Sequence, residues 1–417
     1  MAQLSDDCFA FGGALMTAGE ALALLGERLD VVVGSETVAL REARGRILAA
    51  DLTAPFPVPP HDNAAVDGYA VHFDDLDGGR ETRLPVGARI AAGQSVDRPV
   101  PRGEAVRIFT GAPMPPGPDT VLMQEDCARD GDSVVVPPGI RRGANRRHAG
   151  EDIEAGAVVL TRGRRLRAQD VGLAASIGCA MLEVNAKLRV ALFSTGDEIR
   201  EVTDPLPPGC VYDANRYALA GLLDGLGCEV DDLGILEDSE AAVREALDGA
   251  AGGHDLIMTS GGVSTGEEDH VRSAVEALGG IHFWRLAIRP GRPLALGQVG
   301  RVPFIGLPGN PVAVMVTFMR FARPAILRLS GAVGGAPKTF PVRAGFAYRK
   351  KVSRREWLRV ILHTGEDGMP YVTKFPRDGA GILSSMVGAD GLLELPEELA
   401  RVEEGAMVDF LPFSEVS

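Results

Sequence analysis

Residues 255–270, Asp-Leu-Ile-Met-Thr-Ser-Gly-Gly-Val-Ser-Thr-Gly-Glu-Glu-Asp-His, combine a glycine turn with hydroxyls and carboxylates. An apolar run, 256–258, precedes the turn, and a helical pattern follows it from about Asp269. Such a turn lets backbone N–H groups approach a phosphate, while the helix start adds the positive end of its dipole. Glu267 and Glu268, together with Asp269, supply oxygen ligands for a hard cation. The segment predicts a metal-assisted phosphate site, although an ordinary βα loop explains the same pattern.

Three further loops carry side chains suited to phosphate or metal binding. Residues 194–198, Ser-Thr-Gly-Asp-Glu, place two carboxylates beyond a buried strand, where helix capping is the structural alternative. Residues 307–311, Leu-Pro-Gly-Asn-Pro, fit a helix start with Asn310 as N-cap and Pro311 at the first position, and the exposed N–H groups there can also contact an anion. Residues 289–293, Arg-Pro-Gly-Arg-Pro, set two guanidinium groups around a rigid turn, which favours phosphate binding over a solvated loop in so acidic a chain.

The periodicity of the apolar residues predicts the elements that position these loops. Strands and helices alternate between residues 187 and 331, which favours a parallel α/β sheet. The predicted strands are 188–193, 230–236, 256–258, 281–287, 293–297 and 303–305, and the predicted helices are 215–226, 240–250, one starting near 269, and 311–329. Ligands bind beyond the carboxyl ends of such strands, so we expect the loops to converge on one face of the sheet; these loops are 194–198, 234–239, 260–269 and 307–311.

The regions on either side of this sheet differ in composition. Residues 52–145 are rich in Pro, Gly and short β-branched runs, and helical segments at 17–29 and 167–177 bracket them. The last segment, from about 336, alternates extended runs with turn clusters and predicts a small β barrel. The predicted fold is therefore a multidomain α/β protein. Its domains are a partly helical N-terminal domain (1–51 with 146–186), an inserted β-rich domain (52–145), a central three-layer α/β/α domain (187–331) and a C-terminal β barrel (332–417).

Composition limits the classes of function. The chain has 417 residues, 45% of them hydrophobic, and a formal charge of -14 with two tryptophans and five tyrosines, which argues against a general nucleic-acid binder. No apolar run reaches the ~18 residues that cross a bilayer, and the first 25 residues lack the features of an export signal, so we expect a cytoplasmic protein without a membrane partner. Its five scattered cysteines suggest neither a disulfide framework nor a zinc knuckle.

Six motifs occur in the order typical of one family. Together they resemble those of the bacterial molybdopterin molybdenumtransferases, the MoeA family, which includes the E domain of gephyrin. The motifs are His-Asp-Asn-Ala-Ala-Val-Asp-Gly-Tyr-Ala at 61–70, Thr-Gly-Ala-Pro-Met-Pro at 110–115, Gly-Glu-Asp-Ile at 150–153, Ser-Thr-Gly-Asp-Glu at 194–198, Thr-Ser-Gly-Gly-Val-Ser at 259–264 and Leu-Pro-Gly-Asn-Pro at 307–311. Because the motifs span most of the chain, the resemblance concerns the whole protein.

The resemblance implies both a reaction and the residues that perform it. The family takes adenylylated molybdopterin, releases AMP and places molybdate on the dithiolene sulfurs with the help of Mg²⁺, completing molybdenum cofactor. The catalytic positions implied here are Asp67, Thr110, Asp152, Glu198, Asp238 and Asp269, of which Glu198, Asp238 and Asp269 are the expected Mg²⁺ ligands. The residues expected to bind the cofactor are Ser194, Thr195, Gly196, Ser260, Gly261, Gly262, Ser264, Arg289, Arg292, Pro308, Gly309, Asn310 and Pro311.

The resemblance further implies an elongated homodimer of four-domain subunits. Its site would lie between the MogA-like molybdopterin-binding α/β domain of one subunit and the β-rich domain of the other. This arrangement would explain why Asp67 and Thr110 are so distant in sequence from Glu198. The molybdopterin adenylyltransferase and the recipient molybdoenzymes are the protein partners that the resemblance suggests.

The chain departs from the family pattern at several positions. His61 replaces the usual Phe, Ala64 and Val66 replace Ser and Met, and Arg289 and Arg292 stand where Lys is common. Arginine and lysine are not equivalent at phosphate sites. The named acidic groups are retained, but a paralogue with another metal preference, for instance for tungstate, remains open.

Two alternative functions also stay open. Residues 262–266, Gly-Val-Ser-Thr-Gly, match the pattern of a nucleophile elbow, so a serine hydrolase would use Ser264 with His270, His282 or His363 as base. The three acidic residues after this serine suit a cation better than an oxyanion. The second alternative is a non-catalytic scaffold that binds molybdopterin or a partner protein.

Overall fold

The computed structural model describes residues 15–94, 98–262 and 270–416. The first elements are α1 (Ala18–Arg28), β1 (Ser35–Ala39) and β2 (Leu52–Thr53). A capping box fixes the start of α1, since the Thr17 hydroxyl accepts from the Glu20 N–H at 3.2 Å and the Glu20 carboxylate accepts from the Thr17 N–H at 2.8 Å. The helix predicted over 17–29 is therefore confirmed.

The inserted region is built almost entirely of strands, as its composition predicts. Its six-stranded sheet has the order β7-β4-β6-β5-β9-β8. Gly68 in β4 lies so close to the next strand that a Cβ there would sit 1.7 Å from the Leu122 carbonyl oxygen, and only glycine fits such a contact. The strands are β3 (Asn63–Ala64), β4 (Gly68–Val71), β5 (Thr82–Ile90), β6 (Ala105–Ile108), β7 (Thr120–Met123), β8 (Ala128–Asp130), β9 (Ser133–Val136) and β10 (Arg146–Arg147).

The chain then returns to the N-terminal elements. It forms β11 (Val158–Leu160), α2 (Ala168–Ser176) and β12 (Met181–Asn185), of which β12 pairs antiparallel with β1 and β11 with β2. The Asp170 carboxylate in the first turn of α2 accepts hydrogen bonds from Arg164 at 2.8 Å and from the Arg167 N–H at 2.9 Å. This ion cluster, in which the Asp170 carboxylate is buried, fixes the start of α2 against the preceding turn.

The central domain alternates strands and helices, and its main sheet has the order β16-β13-β17-β21-β20-β18. Its strands are β13 (Arg189–Thr195), β14 (Ile199–Arg200), β15 (Val211–Tyr212), β16 (Glu229–Leu236), β17 (Leu256–Ser260), β18 (Gly279–Arg285), β19 (Ile288–Arg289), β20 (Pro293–Val299) and β21 (Val302–Leu307). Its helices are α3 (Ala214–Leu226), α4 (Glu240–Gly253), α5 (His270–Leu278), α6 (Pro311–Thr317) and α7 (Arg323–Leu329).

Helices cover both faces of this sheet, which confirms the predicted three layers. Successive residues of a strand point to opposite faces, so Leu192 and Phe193 of β13 enter different cores. Leu192 belongs to the cluster formed with α1, α3, α6 and α7, whereas Phe193 packs with Val243 of α4 and Val271 of α5. Among the helices that the structure describes, none has both the length and the apolar character needed to span a bilayer.

The sheet is mixed, which corrects the prediction of a parallel sheet. The strands β16, β13, β17 and β21 run parallel, but β20 is antiparallel to β21, and β18 is antiparallel to β20. Only Gly300 and Arg301 separate β20 from β21, and Gly300 has φ 57°. So short a turn joins only antiparallel neighbours, because a parallel connection needs a crossover of about a dozen residues or more.

The helix predicted over 311–329 is interrupted. A π-helical turn, Phe318–Ala322, separates α6 from α7, and Pro324 lies in the first turn of α7. Proline has no N–H to donate to the carbonyl four residues earlier, so the regular helical hydrogen bonding changes at this point. The pattern of apolar residues continues across the interruption, which explains why it predicts one helix.

The C-terminal region forms the predicted barrel. Its elements are β22 (Phe340–Ala344), β23 (Tyr348–Arg349), β24 (Arg355–Thr364), β25 (Pro370–Lys374), α8 (Ser384–Val387), β26 (Gly391–Leu395), β27 (Arg401–Val402) and β28 (Met407–Pro412). Five strands close in the order β24-β25-β22-β28-β26, since β26 also pairs with β24. The short strand β19 of the central domain pairs parallel with β24 and so joins the two domains.

We predict that Asp170→Asn lowers the free energy of unfolding by about 2 kcal/mol at neutral pH. Burial by itself raises the pKa of the Asp170 carboxyl, but hydrogen bonds from Arg167 and Arg164 outweigh it and hold the pKa below its ordinary value. A lowered pKa in the folded state stabilises the protein above the pKa of the unfolded state, and this contribution is lost as the pH falls through the folded value. Urea unfolding between pH 7 and pH ~3 should therefore show the difference between the two proteins shrinking.

The control variant is Asp248→Asn, which changes an exposed carboxylate on α4. It should leave the unfolding free energy within about 0.5 kcal/mol of the starting protein across the same pH range. A difference between Asp170→Asn and the starting protein that does not change with pH would contradict the assigned cause.

Candidate active site

A cleft of about 480 Å³ lies where the strand-end loops of the central sheet face the C-terminal barrel. Eight of the residues expected to form the site line this cleft. They are Glu198, Gly261, Gly262, Arg289, Arg292, Pro308, Gly309 and Asn310. The cleft thus collects loops that are separated by more than a hundred residues of sequence, as expected for the carboxyl end of an α/β sheet.

Close backbone approach brings the ends of β13, β17 and β21 together. The Gly261 N–H donates to the Leu307 carbonyl at 3.0 Å. A Cβ on Gly261 would lie 3.6 Å from the Thr195 carbonyl oxygen, and one on Gly309 would lie 3.8 Å from the Gly261 Cα. Gly261 and Gly262 have φ values of 88° and 62°, a region that favours glycine. The left-handed backbone of the glycine turn therefore lets the chain leave β17 while staying hydrogen-bonded to the end of β21.

Four hydroxyl residues at the ends of β13 and β17 are buried: Ser194, Thr195, Thr259 and Ser260. Within the described residues, the Oγ atoms of Ser194 and Ser260 have no hydrogen-bond partner, although Ser194 is 1% and Ser260 5% exposed. The Thr195 hydroxyl donates to the Asp238 carboxylate at 3.0 Å, which links the ends of β13 and β16. Buried polar atoms without partners are uncommon in folded proteins, and two of them beside a cleft suit a ligand that supplies the missing hydrogen bonds.

The Glu198 carboxylate lies over the backbone of Gly196. A Cβ at Gly196, where φ is 146°, would come within 2.7 Å of a Glu198 carboxylate oxygen. Val211 of β15 donates its N–H to the Glu198 carbonyl at 2.8 Å. The buried Arg216 holds the following segment, because its Nε lies 3.1 Å from Asp213 and its other nitrogens contact Glu201 and Asp232. Glu198 therefore stands on a fixed loop.

The two arginines of the 289–293 turn differ in their partners. Arg289 donates to the Tyr348 hydroxyl at 3.2 Å and lies 3.6 Å from the buried Glu356 carboxylate. The Tyr348 hydroxyl itself donates to Glu356 at 2.9 Å, and burial, with Glu356 nearby, raises the pKa of Tyr348 to about 12. Arg292, in contrast, makes no ion pair within the described part of the chain. It is the less constrained cation of the cleft.

The barrel adds two charged residues that the sequence analysis missed. Arg359 of β24 is 7% exposed, lines the cleft, and donates to the Ser385 hydroxyl at 3.0 Å and to the Gly379 carbonyl at 3.1 Å. Burial lowers the pKa of its guanidinium group. Asp378 also lines the cleft and pairs with Lys374 at 2.7 Å. The available signal was an arginine inside the apolar run 357–362 of this strand, but the sequence does not show which domain the strand faces.

The start of α6 differs from the prediction in one respect. Pro311 lies in the first turn of the helix as expected, and Asn310 is the N-cap residue, but the Asn310 side chain makes no capping hydrogen bond. It lines the cleft instead. The Val312 N–H donates to the Ala380 carbonyl of the C-terminal region at 2.9 Å. Asn215 of α3 donates to the Gly309 carbonyl at 2.6 Å, so neighbouring elements hold this loop from two sides.

Asp67 and Thr110 form a pair of their own on the inserted domain. One oxygen of the Asp67 carboxylate accepts from the Thr110 N–H at 2.8 Å and from its hydroxyl at 2.7 Å. The hydrogen bond from the Thr110 N–H, together with that from its hydroxyl, holds the pKa of Asp67 below its ordinary value. Neither residue is among the described residues that line the cleft, and Asp152 lies in a third, exposed loop. One subunit therefore does not assemble all the expected residues in its cleft.

The structure describes two of the three expected metal ligands, Glu198 and Asp238. Asp269 and Ser264 lie outside the described residues, and within 15–94, 98–262 and 270–416 no three His, Cys, Asp or Glu side chains are arranged to hold a metal ion. Glu198 and Asp238 remain. Mg²⁺ needs only one or two protein carboxylates when waters and a substrate phosphate complete its shell, so this donor set fits the ion.

Among the histidines considered as the base of a serine hydrolase, His363 makes its contacts within the C-terminal barrel. Its ring nitrogen lies 2.8 Å from the Thr373 hydroxyl, and the ring stacks on Tyr371 with 5.1 Å between the centroids. Both partners belong to β25 of the barrel. His363 is therefore part of the barrel surface rather than of a triad.

Comparison with known proteins agrees with this organisation. Residues 16–178 match the model of the MoeA N-terminal region (domain I and II), 191–328 that of a probable molybdopterin binding domain, and 341–413 that of the MoeA C-terminal region (domain IV). A molybdopterin molybdenumtransferase of Haemophilus influenzae is 37% identical over 96% of this chain and 99% of its own, and one from Nostoc is 35% identical over 88% and 86%.

A solved structure shows the same fold. The crystal structure of the molybdopterin biosynthesis moeA protein from Pyrococcus horikoshii is 30% identical to this chain, with a TM-score of 0.81 over 95% of this chain and 100% of that one. Its coverage includes the inserted domain, the central sheet and the barrel together. On the agreement of sequence, domain order and fold, the chain belongs to the MoeA family of molybdopterin molybdenumtransferases.

Proposed function

We propose that this chain is a molybdopterin molybdenumtransferase whose substrates are adenylylated molybdopterin and molybdate. The convergence of three strand-end loops and three arginines in one cleft carries the proposal, because such a cleft suits an anionic ligand. The relatives from Haemophilus influenzae and Nostoc, which are named molybdopterin molybdenumtransferases, support the proposal. In this reaction the cofactor precursor loses AMP, and molybdate becomes attached to its dithiolene sulfurs.

The residues of the cleft and of the strand ends beside it have different parts in binding the substrates. Arg292 and Arg359 supply positive charge for the phosphates and for molybdate, which is itself an oxyanion. The unpartnered hydroxyls of Ser194 and Ser260 supply hydrogen bonds beside the glycine turn. Bound in a site that excludes water, such prearranged donors stabilise developing charge more strongly than they would in solution.

Magnesium would be held by Glu198 and Asp238, with Asp269 as a further ligand from the family pattern. Its chemistry would be to neutralise charge on the phosphate that departs with AMP. Asp238 is already oriented by its hydrogen bond from Thr195, and Glu198 by the loop that Arg216 anchors. The protein thus contributes carboxylates in fixed positions, as an octahedral ion with demanding geometry requires.

Asp67 and Thr110 would complete the site from a second subunit. Their mutual hydrogen bonds leave the other Asp67 oxygen available to a ligand; on its own chain Thr110 is exposed and Asp67 is half-buried. A homodimer in which the inserted domain of one subunit faces the cleft of the other would bring these groups to the substrate. The proposed active site is therefore shared between subunits.

We predict that purified protein converts adenylylated molybdopterin in the presence of Mg²⁺ and molybdate, and that Glu198→Gln lowers kcat about 100-fold. Loss of one negative charge near the phosphate weakens metal binding, so the variant should also need more Mg²⁺ for half-maximal rate. The measurement is molybdenum cofactor formed and AMP released over a magnesium titration. Replacing molybdate by tungstate in the same assay establishes the metal preference.

The matched control is Glu245→Gln on the exposed face of α4, which should keep the starting rate. Binding of molybdopterin without any turnover in the starting protein would instead favour the scaffold alternative. An unchanged rate in Glu198→Gln would exclude Glu198 from the reaction.

We further predict that variants defective in different halves of the site complement each other. An Asp67→Asn subunit paired with a Glu198→Gln subunit should form one intact site and one site with both defects. Random mixing of equal amounts yields heterodimers as half of all dimers, so activity should recover to about a quarter of the starting protein. The assay is the same conversion, after unfolding and refolding the two variants together.

Asp67→Asn mixed with Thr110→Ala serves as the control, because both changes affect the same half. This mixture should recover nothing. If the Asp67→Asn and Glu198→Gln mixture also stays inactive while the mixed dimers are shown to form, the site is not shared.

A further inference from the structure

A second basic cavity lies beside the cleft, between Leu15 and the turn at 350–354. Its volume is about 420 Å³. Residues 286–288 form one side, and every charged residue among the eleven that line it is cationic. The cationic residues that line it are Arg285, Arg292, Lys351 and Arg354.

The charge of this cavity is opposite to that of the chain. The protein carries 57 acidic and 43 basic residues, yet no carboxylate lines the cavity within the described part of the chain. Arg354 is neutralised by Glu356, with Nε 2.7 Å from the carboxylate. Arg285, Arg292 and Lys351 make no ion pair within residues 15–94, 98–262 and 270–416. No carboxylate in the described part of the chain therefore compensates their charges.

Gathering uncompensated cations at a concave surface has a physical cost. Like charges repel, and because Arg285, Arg292 and Lys351 are exposed, solvent screens this repulsion only in part. An anion in the cavity would remove this repulsion. Guanidinium groups also match the geometry of tetrahedral oxyanions, to which they donate two hydrogen bonds at once, and an ammonium group adds a point charge. We propose that this basic cavity binds a doubly charged tetrahedral oxyanion, either free or as the phosphate of a nucleotide.

The position of Arg292 gives the cavity a connection to the cleft. This side chain lines both spaces, and it has no acidic partner in the described residues that would hold it in one of them. An anion that leaves or approaches the cleft can thus be passed between the two through Arg292. This role in supplying molybdate or removing AMP rests on the proposed function, whereas anion binding itself does not.

The test is isothermal titration of the full chain with inorganic phosphate, molybdate and AMP in turn. The variant Arg285→Gln/Lys351→Gln removes two cations that line the cavity but not the cleft. We expect phosphate binding at one site to weaken about tenfold or more, as for the loss of charge-assisted hydrogen bonds. Weakening of AMP binding by the same factor identifies a nucleotide phosphate, and weakening confined to phosphate and molybdate identifies a free oxyanion.

The control Arg301→Gln/Lys338→Gln removes the same charge from exposed positions away from the cavity. It should leave anion binding unchanged, and thermal unfolding of both variants shows that they fold. Equal effects of the two double variants, or no effect of either, would overturn the proposal. The proposed transferase function is judged separately, since Arg285→Gln/Lys351→Gln should keep kcat at saturating substrate.

Discussion

The contact of backbone with backbone at the ends of β13, β17 and β21 is the constraint on which the cleft depends. Gly261 donates to the Leu307 carbonyl and lies within van der Waals reach of Thr195 and Gly309. A side chain at Gly262 would collide with Val271 and Thr195, since its Cβ would come within 2.6 Å of Val271. Only glycine permits this approach, and it brings loops from three parts of the chain to one place.

A buried carboxylate ties the barrel to this arrangement. Glu356 of β24 is fully buried, and its carboxylate accepts hydrogen bonds from Tyr348 and Arg354. It also forms a longer ion pair with Arg289 of the central domain. A buried charge with several hydrogen-bond partners orients its neighbours, because leaving any of them unpaired costs free energy. With β19 paired to β24, this network places Arg359 opposite the glycine turn. The cleft is therefore a property of two domains together.

Sequence patterns predict those helices and strands well that depend on interactions between residues close together in the chain. The helix at 17–29, the strand before the glycine turn and the closed barrel agree with the structure because the period of hydrophobic residues acts over a short stretch of chain. The direction of β20 was predicted wrongly, since strand pattern does not record direction and only the short turn at Gly300 reveals it. Pro324 similarly marks an interruption that the apolar periodicity conceals.

The sequence by itself determined the family, the order of the domains with their helical or β-rich character, and most loops of the cleft. Motifs and hydrophobic periodicity are properties of short stretches of chain, so they can be recognised without the tertiary structure. Tertiary structure alone decided that Arg359 and Asp378 join that cleft, that Asn310 faces it without capping its helix, and that Asp67 and Thr110 pair apart from it. Those outcomes depend on how strands pair and domains dock. Such contacts join residues far apart in the chain, and no local pattern of residue types encodes them.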